Sequence, residues 1–473
     1  MSVRAGLCLG LALLAAGCAV GPQYAPPATP AAGGGAFASA NPEVFSPHAA
    51  RPDWWRLYDD PVLDGLVRKA LTQNADLKAA AANLARARGA LEQARAGLFP
   101  GTTVEAGATY GKSASASQPR TGWVFDGAFD VSYEVDLFGR VRRTIEAAHA
   151  DAESVAATED LVRVTIAAET TRAYANACTS AESLAVAHRS EALARELYDL
   201  TARKRDLGAS SDFEVASTGA VLDQVRAAIP SLEGQQRTAL YELAVLTGDP
   251  PEVISAEAAA CKTAPHLGQL LPTGDGAALL RRRPDLRRAE RVLAADVARI
   301  GVAETELFPT VTLNGTASQV GSSGQQLTSS RGFSWGVGPL ITWNFPNLLA
   351  AKAGVRQARA QASGDIARFQ SAVLTALKEV EEALTAYASE LRRNAALRSA
   401  RDQSARAYQL AQVQMENGRI GFPDLLQDER VLLQAEGDLA ASDQALVSDQ
   451  VTVFKALGGG WETAPAVTPP KAP

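Results

Sequence analysis

The stretch GLFPGTTVEAG, residues 97–107, contains a Leu-Phe-Pro element that returns in ELFPTVTLNG, residues 306–315. The two prolines, Pro100 and Pro309, lie 209 positions apart. The same spacing relates further pairs without a gap: Asn74 and Arg283, Leu84 and Leu293, Leu91 and Ile300, and Leu98 and Leu307. Repetition at so long a period is typical of a duplicated structural unit. The sequence therefore predicts two similar halves, residues 54–265 and 266–461.

Length and composition place the chain among large folded proteins. Its 473 residues are 47% hydrophobic, 6% aromatic and 21% charged, which is too apolar for general disorder. The formal net charge of −6 argues against a nucleic-acid partner. We expect a large core and no nucleic acid among the partners.

The N-terminal residues are typical of an exported protein. Residues 1–17 combine a positive Arg4, an apolar run and small residues before Cys18, which predicts a cleaved signal peptide. LLAAGC resembles the lipobox of bacterial lipoproteins, so Cys18 is the predicted site of lipid attachment; ordinary signal cleavage beside an unmodified cysteine is the alternative. Ala19 follows, and the lack of an aspartate there favours the outer membrane. Residues 18–53, rich in proline, alanine and glycine, predict an extended tether.

Each half is predicted to supply one β-hairpin, at residues 102–136 and 310–345, because apolar and polar residues alternate there. The apolar face of the first hairpin includes Phe125, Phe129 and Tyr133. Its polar face includes Asp126, Asp130 and Glu134. We expect the carboxylates to face an aqueous lumen and the aromatic rings to face lipid. A register shift of one residue would move every carboxylate into hydrocarbon.

The dimensions of these strands match the wall of a transmembrane barrel, which uses strands of about 10 residues with aromatic side chains outside. Four strands cannot close a barrel, and open strand edges do not exist in lipid. Several copies of the chain are therefore predicted to share one barrel. Alternation alone leaves two ordinary hairpins on a soluble sheet as the alternative.

The remaining segments predict unusually long helices with coiled-coil seams, as at Val373, Leu377, Val380 and Leu384. The longest would measure about 100 Å. The predicted helices cover residues 139–207, 212–248, 275–306, 347–416 and 423–458, with one more at the start of the first half and a flexible tail at 462–473. The fold class is therefore mainly α with a β-barrel contribution. A curved wall of helices and a rod-like coiled coil both satisfy the pattern.

Several motifs are spread over nearly the whole chain: CAVGPQYAPP, WWRLYDDPVLDGLVRKALTQNADL, YEVDLFGRVRR, LLRRRPDLRRAE, the two Leu-Phe-Pro elements and KALGGGW. In these motifs the chain resembles the TolC-like outer-membrane efflux family, in the lipoprotein branch that serves resistance-nodulation-division (RND) pumps. The resemblance implies a homotrimer whose twelve strands form one barrel in the outer membrane of a Gram-negative bacterium, continued by an α-helical periplasmic tunnel. It also implies a periplasmic adaptor, an inner-membrane RND transporter, no cofactor, and passive export of small molecules such as drugs.

The turns at Gly208 and Gly418 are predicted to form the periplasmic tip, where the resemblance implies a closed end. Relatives often narrow this end with acidic residues just after the second glycine, whereas this chain has Ile420 and Gly421 there. The candidates for polar contacts that hold the tip shut are Arg419, Asp424, Asp428, Asp206 and Asp212. Charges that only solvate the turns are the alternative.

Two cysteines remain for a possible disulfide. Cys178 lies in the middle of the first long helix, and Cys261 lies in the connection between the halves, which would pass around the tunnel near its middle. Because the compartment is oxidising, we predict a bridge between them. Two unpaired thiols remain open, since sequence does not supply the required Cα separation of about 6 Å.

One motif raises an enzymatic alternative. GFSWG, residues 332–336, fits the G-x-S-x-G pattern of serine hydrolases, but Ser334 lies within an alternating strand and all 4 histidines precede it. No histidine and cysteine spacing predicts a metal site, and no phosphate loop is present. We expect no enzymatic activity. A type I secretion or metal efflux component and an adaptor-like coiled-coil lipoprotein remain alternatives. The sequence does not identify the exported compound.

Overall fold

The computed structural model describes residues 19–28, 33–113, 120–323 and 330–469. Cys18, the predicted lipidation site, lies outside these ranges. The chain divides into two compact units, which we call the strand unit and the helix unit. The strand unit comprises the residues up to Ala28, Asn83–Ala156 and Arg287–Ser371, and the helix unit comprises Thr29–Ala82, Ala157–Leu286 and Ala372–Pro473.

The elements of the first half are β1 (Phe45–Ser46), a 3-10 helix (Trp54–Tyr58), α1 (Pro61–Gln73), α2 (Ala75–Ala96), β2 (Gly101–Ser113), β3 (Arg120–Val135), α3 (Arg140–Asp206), α4 (Asp212–Leu246) and α5 (Ala256–Ala259). Those of the second half are β4 (Leu271–Pro272), α6 (Gly276–Arg282), α7 (Pro284–Thr305), β5 (Thr310–Gly321), a 3-10 turn (Ser330–Gly332), β6 (Phe333–Thr342), α8 (Leu349–Glu416) and α9 (Phe422–Ala456). Corresponding helices match in length: α2 and α7 have 22 residues each, α3 and α8 have 67 and 68, and α4 and α9 have 35 each.

The Leu-Phe-Pro elements lie where a helix gives way to a strand. β2 begins directly after Pro100, and β5 begins directly after Pro309. In each copy the phenylalanine N–H donates to the carbonyl three residues back, over 3.0 Å, which tightens the end of the helix. Proline cannot continue the helical hydrogen bonds and holds the residue before it in an extended conformation. The element therefore ends a helix and starts a strand in both halves.

The prediction of a single helix over residues 275–306 is wrong at Arg283. α6 ends one residue before Arg283 and α7 begins at Pro284, while Arg283 itself has an extended ψ of 122°. The residue before a proline is pushed away from helical geometry, which accounts for the break. Asn74, 209 positions earlier, separates α1 from α2 with a ψ of 136°. The two halves thus break their first helix at corresponding positions.

The start of α3 shows how a long helix leaves the hairpin. Gly139 has a φ of +86°, and the Asp136 carboxylate accepts hydrogen bonds from the Val141 and Arg142 N–H groups, each over 3.0 Å. These bonds satisfy donors that the first turn of a helix leaves open. Within the described ranges, none of the helices combines the length and the apolar character that a membrane crossing requires.

The four long strands form an antiparallel sheet in the order β2-β3-β5-β6 inside the strand unit. Val104 lies opposite Phe129, Phe129 opposite Ala317, and Ala317 opposite Trp335. Residues directly opposite one another project to the same face, so this line fixes the faces of all four strands. In the part of the chain that the structure describes, β2 and β6 have no further strand on their outer sides.

The helix unit has a core of aromatic and aliphatic side chains. Trp54 is 1% exposed and stacks on Phe454 of α9, with ring centroids 4.7 Å apart. The Tyr58 hydroxyl donates to Gln450 Oε1 over 3.0 Å, and β1 pairs with β4 in parallel. Each large apolar side chain buried in this way stabilises the fold by about 1.5–3 kcal/mol. The C-terminal end of α9 is therefore fixed within the core of the helix unit.

Candidate functional site

The strand register divides the sheet into two chemically distinct faces. The apolar face carries Val104, Tyr110, Trp123, Phe125, Phe129, Val131, Tyr133, Leu313, Phe333, Trp335, Val337 and Ile341. The opposite face carries Thr103, Glu105, Asp126, Asp130, Ser132, Glu134, Thr312, Asn314, Thr316, Ser318 and Ser334, with Val124, Val320 and Leu340 as apolar departures. The polar departures on the apolar face are Thr102, Lys112, Thr121 and Gln319. Such alternation over four neighbouring strands is typical of a sheet between lipid and water.

Contacts within each face follow its chemistry. On the polar face the Ser132 hydroxyl donates to Asn314 Oδ1 over 2.9 Å. On the apolar face the rings of Tyr110 and Trp123 lie 5.4 Å apart, and Trp335 is 72% exposed. Large exposed apolar surfaces mark sites of contact with a membrane or another protein. A single copy of the chain leaves this face uncovered.

The three carboxylates chosen from the sequence share the polar face. Asp126, Asp130 and Glu134 follow one another at every fourth position of β3. Glu134, nearest to α3, also pairs with Arg140 in the first turn of that helix, where Arg140 Nε donates to Glu134 Oε1 over 2.7 Å. The strand thus presents a row of negative charge along one surface of the sheet.

The two glycine turns end the long helices in the same way. Gly208 has a φ of +75° and Gly418 a φ of +65°, a conformation that suits a residue without Cβ. In each turn the N–H of the next residue donates to the carbonyl five positions back, over 2.8 and 2.9 Å. This bond is that of a Schellman motif, which closes a helix and reverses the chain.

The residues that follow the first turn cap the returning helix α4. The Ser211 hydroxyl accepts the Glu214 N–H over 3.3 Å, and the Glu214 carboxylate accepts the Ser211 N–H over 2.7 Å. A hydrogen bond from the Ser210 hydroxyl and the one from the Ser211 backbone hold the pKa of Glu214 below its ordinary value. The first turn is therefore followed by a capping box that satisfies the first N–H groups of α4.

Three of the five charged residues proposed for the tip have local partners. Asp424 Oδ2 accepts the Gly421 N–H over 3.1 Å and so caps α9. Asp206 pairs with its neighbour Arg205, whose Nη2 lies 2.6 Å from Asp206 Oδ1. Asp212, 90% exposed at its side chain, lies 3.7 Å from Arg205. These contacts are exposed and contribute little to stability by themselves.

The other two tip candidates are Arg419, at the second turn, and Asp428, in α9. Arg419 and Asp428 make no side-chain hydrogen bond or ion pair with the residues that the structure describes. The structure does not bring Arg419 and Asp424 together as an ion pair. The second turn therefore presents the exposed Arg419 side chain at its surface.

The seam of α9 was missed at the level of sequence. Leucines and polar residues alternate along it at steps of four and three: Leu425, Glu429, Leu432, Glu436, Leu439, Asp443, Leu446 and Gln450. Polar residues at a single seam position every seventh residue fix the register of a coiled coil. That sevenfold spacing was the signal available in the sequence.

The two cysteines are brought together inside the helix unit. Cys178 Sγ and Cys261 Sγ form a disulfide with a length of 2.08 Å. Close by, the Ala264 N–H donates to Glu182 Oε2 over 3.1 Å. The segment between the halves is thereby attached to α3 at two points.

The residues just after Cys18 are held in the strand unit by hydrogen bonds. The Val20 N–H donates to the Phe138 carbonyl over 3.0 Å, and Arg143 donates from Nε to the Val20 carbonyl and from Nη2 to the Gly21 carbonyl, each over 3.1 Å. Further along, the Tyr24 hydroxyl donates to Glu290 Oε1 over 2.9 Å. No local pattern predicts these contacts, because they join positions more than a hundred residues apart.

The G-x-S-x-G motif around Ser334 does not have the geometry of a hydrolase active site. Ser334 lies within β6, and its hydroxyl is 2.8 Å from that of Ser318 on β5. A strand without a sharp turn does not present the serine as a hydrolase nucleophile. Among the described residues, no three histidine, cysteine or carboxylate side chains cluster as a metal site.

A small antiparallel sheet with one polar and one apolar face, combined with paired helices of 67 and 35 residues, is the architecture of an outer-membrane channel protein. Comparison with known proteins agrees. The chain belongs to the outer membrane efflux protein family, whose model matches residues 66–249 and 277–459, one segment in each half.

Individual relatives match the chain over almost its whole length. Nodulation protein T of Rhizobium leguminosarum bv. trifolii is 28% identical over 455 residues, covering 95% of this chain and 96% of the relative. The antibiotic efflux pump outer membrane protein ArpC of Pseudomonas putida is 28% identical over 468 residues, covering 95% and 94%. A solved structure of the outer-membrane channel OprN has a TM-score of 0.87 and 32% identity, covering 94% of this chain and 100% of that one.

These findings confirm the family resemblance, the mainly helical fold with a small sheet, the outer-membrane location and the efflux role inferred from the sequence. The relatives are outer-membrane channels and efflux proteins, not enzymes.

Proposed function

We propose that this chain forms, as a homotrimer, the passive outer-membrane conduit of a tripartite RND-type efflux pump. The observation that carries the proposal is the two-faced sheet whose outer strands, β2 and β6, have no further partner among the described residues. Unpaired edges are not tolerated in lipid, so another copy of the chain supplies the missing neighbour on each side. Three copies would give the twelve strands of one closed barrel, with Asp126, Asp130 and Glu134 in its lumen.

The partners follow from the family. A conduit without catalytic residues needs an energised transporter in the inner membrane and a periplasmic adaptor to join the two. ArpC, whose name describes an antibiotic efflux pump component, supports small drugs as the exported class. We infer no enzymatic step and no cofactor for this chain.

We further propose that Cys18 carries lipid. The hydrogen bond from the Val20 N–H to the carbonyl of Phe138, three residues after β3, supports this, because it fixes the residues that follow Cys18 within the strand unit. Acyl chains contribute about 0.8 kcal/mol per buried methylene, so a multiply acylated cysteine would anchor the chain even without the barrel. Mass spectrometry of the mature N-terminus tests this, and an unmodified cysteine would contradict it.

The same proposal treats residues 54–265 and 266–461 as two repeats and puts the gate at the turns around Gly208 and Gly418. These turns end the long helices α3 and α8 and carry the charged side chains described above. A closed end is needed because a tunnel built of such helices would otherwise leak.

Neighbouring residues on opposite faces of β6 give a direct test of the conduit. Trp335→Asp places a charge on the apolar face, and Ser334→Asp places the same charge on the polar face. We expect the wild type and the Ser334 variant to form detergent-resistant trimers in outer-membrane fractions and to conduct ions in planar bilayers. The Trp335 variant should neither assemble into such trimers nor conduct ions. Equal assembly of both variants, or a wild type that remains monomeric, would contradict the proposal.

A further inference from the structure

Glu429, seven residues into α9, is a carboxylate buried in a helix seam of the helix unit. The residue is 1% exposed. Neither Oε1 nor Oε2 has a hydrogen-bond partner within the described part of the chain. Burying an ionised carboxylate without a partner is strongly unfavourable, and buried polar groups are nearly always paired. This position therefore favours the neutral carboxyl over the ionised carboxylate.

The other polar positions of the same seam are all satisfied by neighbours. The Ser190 hydroxyl donates to Glu436 Oε2 over 3.0 Å, Asn394 Nδ2 donates to Asp443 Oδ1 over 2.7 Å, and the Tyr58 hydroxyl donates to Gln450 Oε1 over 3.0 Å. Each of these contacts holds α9 in register. Glu429 is the first of the four polar seam positions in chain order and lies nearest to the turn at Gly418. It lacks an equivalent contact among the described residues.

The surroundings of Glu429 favour its neutral form. Leucines of the seam and Tyr408 of α8 form one buried cluster that also includes Leu197 of α3. The charged and titratable groups that act here are Arg430 on α9, Tyr408 on α8, and Glu196 on α3, which acts on Tyr408. Burial raises the pKa of Glu429 from its ordinary value of 4.5 to about 7, and Arg430 offsets only part of that effect.

We propose that Glu429 is a proton-operated latch: its neutral carboxyl allows the N-terminal part of α9 to pack closely against α3 and α8, and its ionisation loosens that packing beside the tip. The paired positions at Glu436, Asp443 and Gln450 hold the rest of the helix in either state. The structure thus separates a stable part of α9 from a part whose packing responds to pH.

The direction of the pH effect follows from linkage. The pKa of Glu429 is higher in the packed helix than in an opened one, so the contribution of the carboxyl to packing is complete below about pH 4.5 and is lost as the pH rises through about 7. Protons therefore close the latch, and mildly alkaline conditions release it.

Hydrogen–deuterium exchange of the full-length protein in detergent tests the latch directly. Amides of residues 422–435 are compared between wild type and Glu429→Gln at the same pH, so that the intrinsic pH dependence of exchange cancels. We expect wild type to exchange about twofold faster than the variant at pH 4.5, and on the order of 100-fold faster at pH 8. A constant ratio across this range would overturn the proposal.

Two further variants separate the latch from general effects of charge or folding. Glu436→Gln removes a seam carboxylate that already has a hydroxyl partner, and we expect no such growth of the ratio with pH. Glu429→Leu continues the leucine pattern of the seam and should match Glu429→Gln, which keeps the test decisive if the glutamine variant fails to fold. An equal pH response in the Glu436 variant would overturn the assignment to Glu429.

Discussion

Cys178 on α3 and Cys261 in the segment between the halves form a disulfide, with Cα atoms 5.2 Å apart and a sequence separation of 83 residues. Cys178 is fully buried in the core of the helix unit, so the bridge joins the connecting segment to the interior of that unit. The contact between Ala264 and Glu182 reinforces the attachment.

Loss of this bridge is expected to lower the free energy of unfolding. In the chain-entropy account, a closed loop of this length stabilises by about 4.5 kcal/mol. Cys178→Ala and Cys261→Ala should each cost nearly as much as the double variant, because either change opens the bridge. Denaturant unfolding with and without reductant measures this. Additive single effects, or a wild type insensitive to reductant, would show that the bridge does not stabilise the fold.

The faces of β3 can be distinguished by chemical labelling. Cysteine at Asp126 or Asp130 should react with a water-soluble thiol reagent in assembled protein, whereas cysteine at Phe125 or Phe129 should react only with a lipid-soluble one. The reason is that the polar and apolar residues of a barrel strand face water and lipid respectively. Water-soluble labelling at the two phenylalanine positions would place the register one residue away.

Local periodicity accounts for what the sequence predicted well. The alternation around Phe129 and the three-and-four spacing around Val380 each report the environment of neighbouring residues, so strand faces and helix positions could be inferred. The contact between Arg143 and Val20 and the burial of Glu429 depend on which distant segments meet. No local pattern encodes such a meeting, and these features became visible only in the folded chain.

The break between α6 and α7 predicts a strong effect of one arginine. Arg283 is 7% exposed; its Nη2 lies 2.7 Å from Asp285 Oδ2 and 2.6 Å from Glu379 Oε2, and its Nη1 donates to the Ala456 carbonyl over 2.9 Å. The two carboxylates are 25% and 46% exposed and stay hydrated without the arginine, but the Ala456 carbonyl loses its buried donor, which costs about 1–3 kcal/mol. Arg283→Ala should therefore lower the unfolding midpoint sharply.

The exposed Arg281, two residues earlier, provides the matched control for that measurement. Arg281→Ala should change the free energy of unfolding by less than about 0.5 kcal/mol, the usual range for surface substitutions. Similar losses in the two variants would indicate a general effect of positive charge in this segment rather than the contacts of Arg283.

The contacts of the N-terminal segment predict that position 21 must be glycine. Gly21 has a φ of +96°, and a Cβ built there would lie 2.5 Å from the Gly301 Cα atom. Gly21→Ala should therefore displace residues 19–28 and increase their cleavage by added protease. Gly35→Ala is the control, because a Cβ at Gly35 meets no atom within 4 Å. Equal cleavage of the two variants would mean that the glycine does not determine how this segment is held.

The charged residues of the second turn predict a change in channel closure. Asp424 caps α9 through the Gly421 N–H, and Arg419 presents a side chain without a partner among the described residues. Losing the hydrogen bond from the Gly421 N–H to Asp424 costs about 1 kcal/mol, and removing Arg419 eliminates the exposed cation of this turn. If these groups hold the tip shut, the Arg419→Ala/Asp424→Ala variant should open more readily than wild type.

Single-channel recording in planar bilayers measures that opening, and sensitivity of cells to a large antibiotic such as vancomycin reports it in the outer membrane. We expect a higher conductance and greater sensitivity in the double variant. Asp223→Ala, which removes an exposed carboxylate from α4, should leave both unchanged. Because charged side chains at turns often do no more than contact water, wild-type conductance in the double variant would place the constriction elsewhere in the channel.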